Sequence, residues 1–338
     1  MKSHKNNILI YLYLIAALVV VVLISTCVGH YQMSPLVCLK ILASRLFGID
    51  GTWKAMDETV LTGLRLPRIA AAMLVGASLA ISGASYQSVF QNPLVSPDIL
   101  GVSSGACVGA ALAILMHLGA NMIMLMAFAA GVLTVLLTIS IPKLLRSDSN
   151  IMLVLSGIVV GGVTSSAMGI IKYVADPLSE LPQITFWTMG SLDGVTFSTL
   201  SIAVIPILVC IIILIRMSWW IDILSMGSRD AQTLGANVQR IRLISILCST
   251  LLTAISVCIS GTIGWVGLVV PHFARMFAGS SNTRLIPAAA LLGAVFMVAV
   301  DTVARTIAKV EVPLGIITGL VGAPFYSWLL YKQRYKLN

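Results

Sequence analysis

The 338-residue sequence is 58% hydrophobic and only 10% charged, with a mean hydropathy of +1.01. Soluble globular domains carry about 25% charged residues, so this composition excludes an ordinary soluble domain and indicates an integral membrane protein in contact with the lipid bilayer. The net charge of +9 does not indicate a nucleic-acid partner, because the basic residues lie mostly at the ends of apolar runs, as the positive-inside rule predicts.

Residues 1–64 are interpreted as a first span followed by an amphipathic helix on the outer membrane surface. The apolar run at residues 8–24 could also belong to a secretory signal peptide. It is long for a signal and no A-x-A cleavage site follows, so we expect a retained span. Residues 35–47 place apolar side chains at helical spacing, which is typical of a helix lying at a membrane surface.

Residues 65–174 contain four apolar runs long enough to match the roughly 20 residues that cross a bilayer as a helix. Asn92 and Pro93 interrupt the first two runs, and Pro97 and Asp98 follow, so we expect a tight turn between two antiparallel spans. The predicted spans 2–5 cover residues 69–90, 99–118, 120–141 and 151–174.

The second half of the sequence repeats this alternation of apolar runs and polar turns. Residues 175–217 are predicted to form an outer loop with a short helix, followed by span 6 at residues 200–217. Residues 218–242 carry several arginines, which indicates a cytoplasmic loop. Residues 243–338 are predicted to contain spans 7–10, at residues 243–260, 263–277, 286–306 and 313–331.

Ten spans place both termini in the cytoplasm and the chain in the cell membrane (an inner or plasma membrane). The excess of Lys and Arg on the inner side has the sign that this topology requires. AISG at residues 80–83 and CISG at residues 258–261 hint at an internal repeat. With a single span between the halves, spans 2–5 and 7–10 would have opposite topologies, a common transporter arrangement.

Four motifs resemble the permease subunit of type II ATP-binding-cassette (ABC) importers for iron-siderophores, haem and cobalamin. The resemblance implies one all-α integral membrane domain with about ten transmembrane helices in an inverted repeat. It also implies a homodimer, two separate ATPase subunits and an extracytoplasmic substrate-binding protein. The motifs are RLPR to NPLVSPDILGVSSGA (65–106), MGSRDAQTLGANV (226–238), GWVGLVVPHFARM (264–276) and PLGIITGLVGAPFYSWLL (313–330).

Charged residues at the predicted outer ends of spans 2 and 9 are the first candidate site. Asp301 lies inside an apolar run four residues before Arg305. This spacing predicts an ion pair on one helix face, and a proton-coupling site is the alternative. Arg65, Arg68 and Arg305 could reach lipid headgroups, but the resemblance implies that these three arginines receive glutamates of the binding protein.

A cytoplasmic segment between spans 6 and 7 is the second candidate site. The sequence has no GxxxxGK[ST] motif and no Gly-Lys pair, so the chain has no phosphate-binding loop of its own and a separate ATPase must supply the energy. A short helix bounded by glycines suits contact with that ATPase, and the resemblance assigns it a coupling role. The candidate residues are Met226, Gly227, Arg229, Asp230, Ala231, Leu234 and Gly235.

The resemblance also implies a cytoplasmic gate beneath a central pore. Ser149 or Asn150 could in addition cap the start of span 5. The gate residues implied by the resemblance are Asn92, Pro93, Leu94, Ser149, Asn150 and Val154.

No cofactor or metal site is predicted. The six cysteines form no CxxC pattern, and the four histidines are scattered, so neither residue type gives a metal-ligand spacing. We expect a transport subunit that performs no bond chemistry. An ion-coupled secondary transporter is the main alternative, and an intramembrane enzyme lacks any nucleophile and base in the sequence pattern. The resemblance favours an iron-siderophore as cargo, then haem or cobalamin, then molybdate or tungstate.

Overall fold

The computed structural model describes residues 2–48, 51–146 and 149–334, without the side chains of residues 2–7, 46, 150, 329–330 and 333–334. Within these ranges the chain is helical and contains no strand. The helices, in chain order, are α1 (Lys2–Cys27), α2 (Pro35–Phe47), α3 (Ala55–Glu58), a π-helix (Thr59–Arg65), α4 (Leu66–Val89), a 3-10 helix (Pro97–Leu100), α5 (Val102–Leu115), α6 (Ala120–Leu144), α7 (Asn150–Val174), α8 (Glu180–Met189), α9 (Phe197–Ser225), α10 (Ser228–Thr233), α11 (Val238–Ser260), α12 (Val266–Ala278), α13 (Asn282–Ala304) and α14 (Leu314–Arg334).

Seven helical segments of the described chain are long and apolar enough to cross a membrane. One of them runs without a break from Ala55 to Val89, so the second span begins earlier than the predicted residue 69. The third, eighth and tenth predicted spans correspond to shorter apolar helices of 10–17 residues. The all-helical membrane fold is therefore confirmed, whereas the count of ten spans and the internal repeat stay predictions.

Helix α4 lies at the centre of the bundle and packs against α9, α11, α12 and α13. Gly76 of α4 and Gly293 of α13 face each other at the crossing, and a Cβ atom on either residue would collide with the carbonyl oxygen of the other. Small residues allow helix backbones to approach closely inside a membrane. These two glycines therefore set the close spacing of the central helix pair.

The end of α9 corrects the predicted boundary of span 6. The helix continues to Ser225 instead of ending near residue 217, so the first part of the predicted loop at residues 218–242 is helical. Arg216 and Asp222 interrupt the apolar run, but a charged side chain does not break a helical backbone. Ile223 and Leu224 remain buried beyond them, so packing against the bundle sustains the helix.

The predicted surface helix at residues 35–47 is present as α2. Its Cys38 and Ile41 pack with Val60 and Leu61 in a small hydrophobic cluster separate from the main core. Leu36, on another face of α2, is 69% exposed. This arrangement of one buried and one exposed apolar face is what an interfacial helix requires.

Several helices, α7 and α14 among them, have apolar faces that no other described part of the chain covers. On α7, Ile158, Val159 and Val163 are more than half exposed, and nothing lies within 4 Å of a Cβ atom placed on the neighbouring Gly161. On α14, Leu320 is 72% exposed. These faces are open either to lipid or to another protein chain.

Candidate functional sites at the two ends of α13

One buried carboxylate joins two arginines at the C-terminal end of α13, which is the predicted outer end of the bundle. Asp301 is 0% exposed. Its Oδ1 lies 2.7 Å from Arg68 Nε, and its Oδ2 lies 3.0 Å from Arg305 Nε. The second arm of Arg68 reaches Glu311, with 2.7 Å between Nη1 and Oε1. We call these residues, together with Arg65, the outer arginine cluster.

Backbone carbonyls at the end of α1 complete the cluster. Arg65 Nη1 donates to the carbonyl oxygens of Thr26 at 2.6 Å and Cys27 at 3.2 Å, and its Nη2 donates to the carbonyl oxygen of Tyr31. Arg305 Nη2 donates to Ser25 Oγ at 2.8 Å. The last carbonyls of a helix lack partners within that helix and attract cations, so the arginines attach the end of α1 to α4 and α13.

The three arginines of the cluster line a cleft of about 280 Å³ that also includes Asp193 and Glu311. Arg65, Arg68 and Arg305 are 5%, 7% and 6% exposed, so most of their donors face partners within the chain. The Glu311 side chain is 29% exposed, against 0% for Asp301. Glu311 is therefore the partner that an incoming carboxylate could displace most easily, and the docking role stays a prediction.

The sequence pattern contained the Asp301–Arg305 pair but not its other partners. Arg68 is separated from Asp301 by 233 positions and from Glu311 by 243. No helical spacing signals contacts between such distant positions. An acid close to the predicted outer end of span 10 was the one available indication of Glu311.

The candidate coupling segment forms α10 and its two flanking turns, at the opposite end of the bundle. Gly227 and Gly235 have φ angles of 119° and 79°, which L-residues other than glycine rarely adopt. Ala231 is fully buried, whereas Met226 and Leu234 are 68% and 61% exposed. Arg229 and Asp230 are also exposed. The segment is therefore a short helix attached by one face that presents apolar and charged side chains on the other.

An aspartate that the sequence reasoning did not single out connects this segment to α13. Asp222, in the last turns of α9, accepts hydrogen bonds from Asn282 N at 2.6 Å, Asn282 Nδ2 at 2.8 Å and Ser281 Oγ at 2.7 Å. Ser88 Oγ of α4 donates to Asn282 Oδ1 at 2.7 Å. We call Asp222, Ser281 and Asn282 the inner cap, because Asp222 satisfies a free N–H at the start of α13 from another helix.

The predicted gate residues lie in two turns at the same end of the bundle as the inner cap. Asn92, Pro93 and Leu94 are exposed, and Asn92 Oδ1 accepts a hydrogen bond from Leu94 N at 2.9 Å. Ser149 caps α7, since its side chain accepts a hydrogen bond from Ile151 N at 3.2 Å. Val154 is partly buried against the core. The side chain of Asn150 lies outside the described residues, and the gating role stays a prediction.

The described residues contain no group of three or more His, Cys, Asp or Glu side chains arranged to hold a metal ion.

The chain is similar to known transport proteins along most of its length. A model of the FecCD transport family matches residues 17–332. The chain is 36% identical to the molybdate import system permease protein MolB of Haemophilus influenzae over 94% of both chains. It is 39% identical to a probable iron chelatin transport system permease protein of Helicobacter pylori, over 81% of this chain and 83% of the relative. A solved ABC transporter of metal-chelate type, in an inward-facing conformation, superposes with a TM-score of 0.85 at 36% identity, over 95% of this chain and 98% of that chain.

Proposed function

Because the chain belongs to the FecCD transport family, we propose that it is the membrane permease subunit of an ATP-driven importer that moves a metal chelate into the cytoplasm by alternating access. The observation that carries this proposal is the coupling segment. An exposed short helix is held to the bundle by the buried Ala231 and bounded by two glycines with positive φ angles. Such a rigid projection can transmit a movement of a neighbouring subunit to the flanking membrane-spanning helices.

Two ATPase subunits are the partners that this projection fits. The sequence has no phosphate-binding loop, so ATP must bind to another chain. Met226 and Leu234 supply exposed apolar contact area, and Arg229 and Asp230 supply charges of both signs. Apolar anchors with a charged rim are typical of protein–protein interfaces. Differential binding of the two nucleotide states would then bias the inward- and outward-open states of the permease.

A second copy of this chain is the partner proposed for the open faces of α7 and α14. Exposed apolar residues and small residues occur together on α7, at Val159, Gly161 and Val163. Small residues at helix surfaces favour close helix association in membranes. A closed dimer with twofold symmetry is the commonest oligomer, and it would place these faces around a shared pore.

An extracytoplasmic binding protein is the partner proposed for the outer arginine cluster. Among the residues that the structure describes, the three arginines of the cluster form ion pairs with two acids, Asp301 and Glu311. The excess positive charge suits carboxylates on a docking protein, and the planar guanidinium group binds carboxylates with two hydrogen bonds. In this topology both termini of the permease lie in the cytoplasm.

An iron-siderophore is the proposed cargo, with haem or cobalamin next and molybdate or tungstate as the alternative. The iron chelatin relative supports the first choice by its identity of 39%. MolB supports the molybdate alternative, since the match covers 94% of both chains. Many exposed side chains of α7 are aliphatic, among them Ile158, Val159 and Val163, which is compatible with passage of a bulky chelate that makes no strong polar contacts with the pore wall.

An ion-coupled secondary transporter is the alternative mechanism. It requires an embedded acid that can gain and lose a proton near the bilayer midplane. Asp301 is paired with two arginines at one end of α13, and this pairing favours a structural role for its carboxylate.

The decisive experiment reconstitutes the permease in liposomes with its ATPase and a cargo-loaded binding protein. We expect uptake that requires ATP and all three components. A panel of binding proteins loaded with ferric siderophore, haem, cobalamin or molybdate identifies the cargo by which of them stimulates ATP hydrolysis. Accumulation of solute by the permease alone, under an ion gradient, would contradict the proposal and support the secondary transporter.

A further inference from the structure

Two cysteines lie side by side where α1 ends and α2 begins. Cys27 is the last residue of α1, and Cys38 lies in the first turn of α2. Both side chains line the same cleft, which has a volume of about 390 Å³. Cys38 is 1% exposed, whereas Cys27 is partly exposed. The two thiols therefore differ in access although they share one cavity.

The surrounding contacts hold the two thiols near each other. The Cys38 thiol points toward the end of α1, with 3.7 Å between its Sγ and the carbonyl oxygen of Thr26, and it also interacts with the side chain of Cys27. Arg65 binds the carbonyl oxygens of Thr26 and Cys27, which fixes the backbone beside Cys27. Only the short loop at residues 28–34 separates the two helices.

The proposed topology places this pair on the outer side of the membrane. Compartments outside the cytoplasm are oxidising, and cysteine pairs there form disulfides that persist. This step rests on the proposed function, because the orientation of the termini comes from the topology proposed for the permease.

We propose that Cys27 and Cys38 are a redox-active pair that closes to a disulfide by exchange with a soluble disulfide, and that the bond attaches α2 to the end of α1. The thiolate of the partly exposed Cys27 attacks the soluble disulfide, forms a mixed disulfide and releases one thiolate. The thiolate of Cys38 then attacks Cys27 Sγ and releases the second. The protein dithiol is oxidised, the soluble disulfide is reduced to two thiols, and the two protons of the protein thiols leave to solvent and the released thiolates.

The acid–base chemistry of Cys38 supports this order of attack. Burial, reinforced by the neighbouring Cys27, raises the pKa of the Cys38 thiol to about 11. The thiolate is the attacking species, so the second step is slow near neutral pH. The rate of ring closure should increase as the pH rises toward 11.

A second cysteine pair serves as an internal control. Cys210 of α9 and Cys248 of α11 also interact with each other, but both are buried in the main core of the bundle. A soluble disulfide cannot reach thiols inside the membrane-spanning core. If only the Cys27–Cys38 pair is oxidised, access to the soluble disulfide, and not the proximity of two thiols alone, determines which pair reacts.

The purified full-length chain is first reduced in detergent, and the reductant is removed. The chain is then treated with oxidised glutathione at pH 7 and pH 9, its free thiols are trapped with N-ethylmaleimide at timed intervals, and its peptides are mapped by mass spectrometry without further reduction. We expect a linked Cys27–Cys38 peptide that forms faster at pH 9, and no linked Cys210–Cys248 peptide. Cys38→Ser should retain one glutathionyl group on Cys27, because the resolving thiol is missing. Cys27→Ser should take up no glutathione at Cys38, because that thiol is 1% exposed.

Two outcomes would overturn the proposal at different points. Full alkylation of both Cys27 and Cys38 at either pH, with α2 still folded by circular dichroism, would contradict the proximity and order of attack. The second outcome comes from trapping thiols in intact cells, which measures whether the Cys27–Cys38 pair is reduced or oxidised there. A pair that links in vitro but stays reduced in cells would contradict the extracytoplasmic location, and ATP-dependent uptake by the reconstituted complex would show whether the permease function itself still holds.

Discussion

The two ends of α13 are held by aspartates that work in different ways. At the outer arginine cluster, Asp301 is fully buried and forms ion pairs with two guanidinium groups. At the inner cap, the half-buried Asp222 accepts hydrogen bonds from a neutral backbone N–H, an amide and a hydroxyl. A buried ion pair is costly to break because each partner left behind is an uncompensated charge. A half-buried cap whose donors are neutral can open at lower cost, because water can replace the lost partners.

This contrast indicates that the two ends of α13 have different mechanical roles. The outer end of α13 is fixed to α1 and α4 by charges and helix-end carbonyls. The inner end is joined to α9, the helix that carries the coupling segment, by hydrogen bonds that water can replace. If the permease alternates between two states, we expect the inner contacts to rearrange and the outer cluster to stay intact.

Removal of the outer carboxylate should have the largest effect. Asp301→Ala leaves Arg68 and Arg305 without their shared partner in a buried site, and breaking a buried pair in this way costs about 3–5 kcal/mol. We expect a large fall in the thermal unfolding temperature of the purified chain, measured in detergent. Asp193→Ala, which removes an exposed acid from the same cleft, is the matched control and should change little. Equal stability of the two variants would refute the structural role of Asp301.

Removal of the inner cap should have a smaller effect on stability and a larger one on coupling. Asp222→Ala deletes the acceptor of four hydrogen bonds, and loss of a helix cap costs about 0.5–2 kcal/mol. We expect the assembled transporter to retain basal ATP hydrolysis but to lose much of its stimulation by the loaded binding protein. Asp222→Asn keeps one acceptor oxygen and should restore part of this stimulation. A variant that loses stability but keeps full stimulation would limit Asp222 to a purely structural role.

A change in the turn between the inner cap and the coupling helix tests how rigid that connection is. Gly227→Ala forces an L-residue into φ and ψ angles of 119° and 148°, a region essentially restricted to glycine, which costs about 1–3 kcal/mol and should shift α10. We expect weaker binding of the ATPase, measured by co-purification at increasing salt. Gly119→Ala is the control, because Gly119 has open space around it and an ordinary φ angle of −66°. Unchanged ATPase binding in the Gly227 variant would show that α10 tolerates reorientation.

Neutralisation of the exposed acid in the outer cluster should have the smallest effect on stability. Glu311→Gln removes a partly exposed partner of Arg68, and such pairs contribute about 0–1 kcal/mol. If the cluster docks carboxylates of the binding protein, loss of the competing acid should strengthen that complex, with a steeper dependence on salt. The measurement is the Kd of the binding protein at two ionic strengths. Weaker binding in this variant would argue against docking at the arginines.

The sequence predicted those features of each site that depend on residues close together in the chain. The i,i+4 spacing of Asp301 and Arg305 predicts their pair, and the glycines at positions 227 and 235 predict the bounds of the coupling helix. Arg68, Glu311 and Asp222 could not be assigned partners in the same way. Each binds a residue in a distant part of the chain, 59 or more positions away, and helical periodicity carries no information about such contacts.

The sequence by itself determined the membrane fold class, the family resemblance and the helix at residues 35–47, because hydropathy and helical spacing are local properties of the chain. Tertiary structure alone decided that α9 continues past its charged residues, that Arg65 binds the end of α1, and that Cys27 and Cys38 share one cleft. Those outcomes depend on which helices pack together. Packing is fixed by long-range burial and by the need to satisfy every buried charge and backbone group, which no single segment can supply.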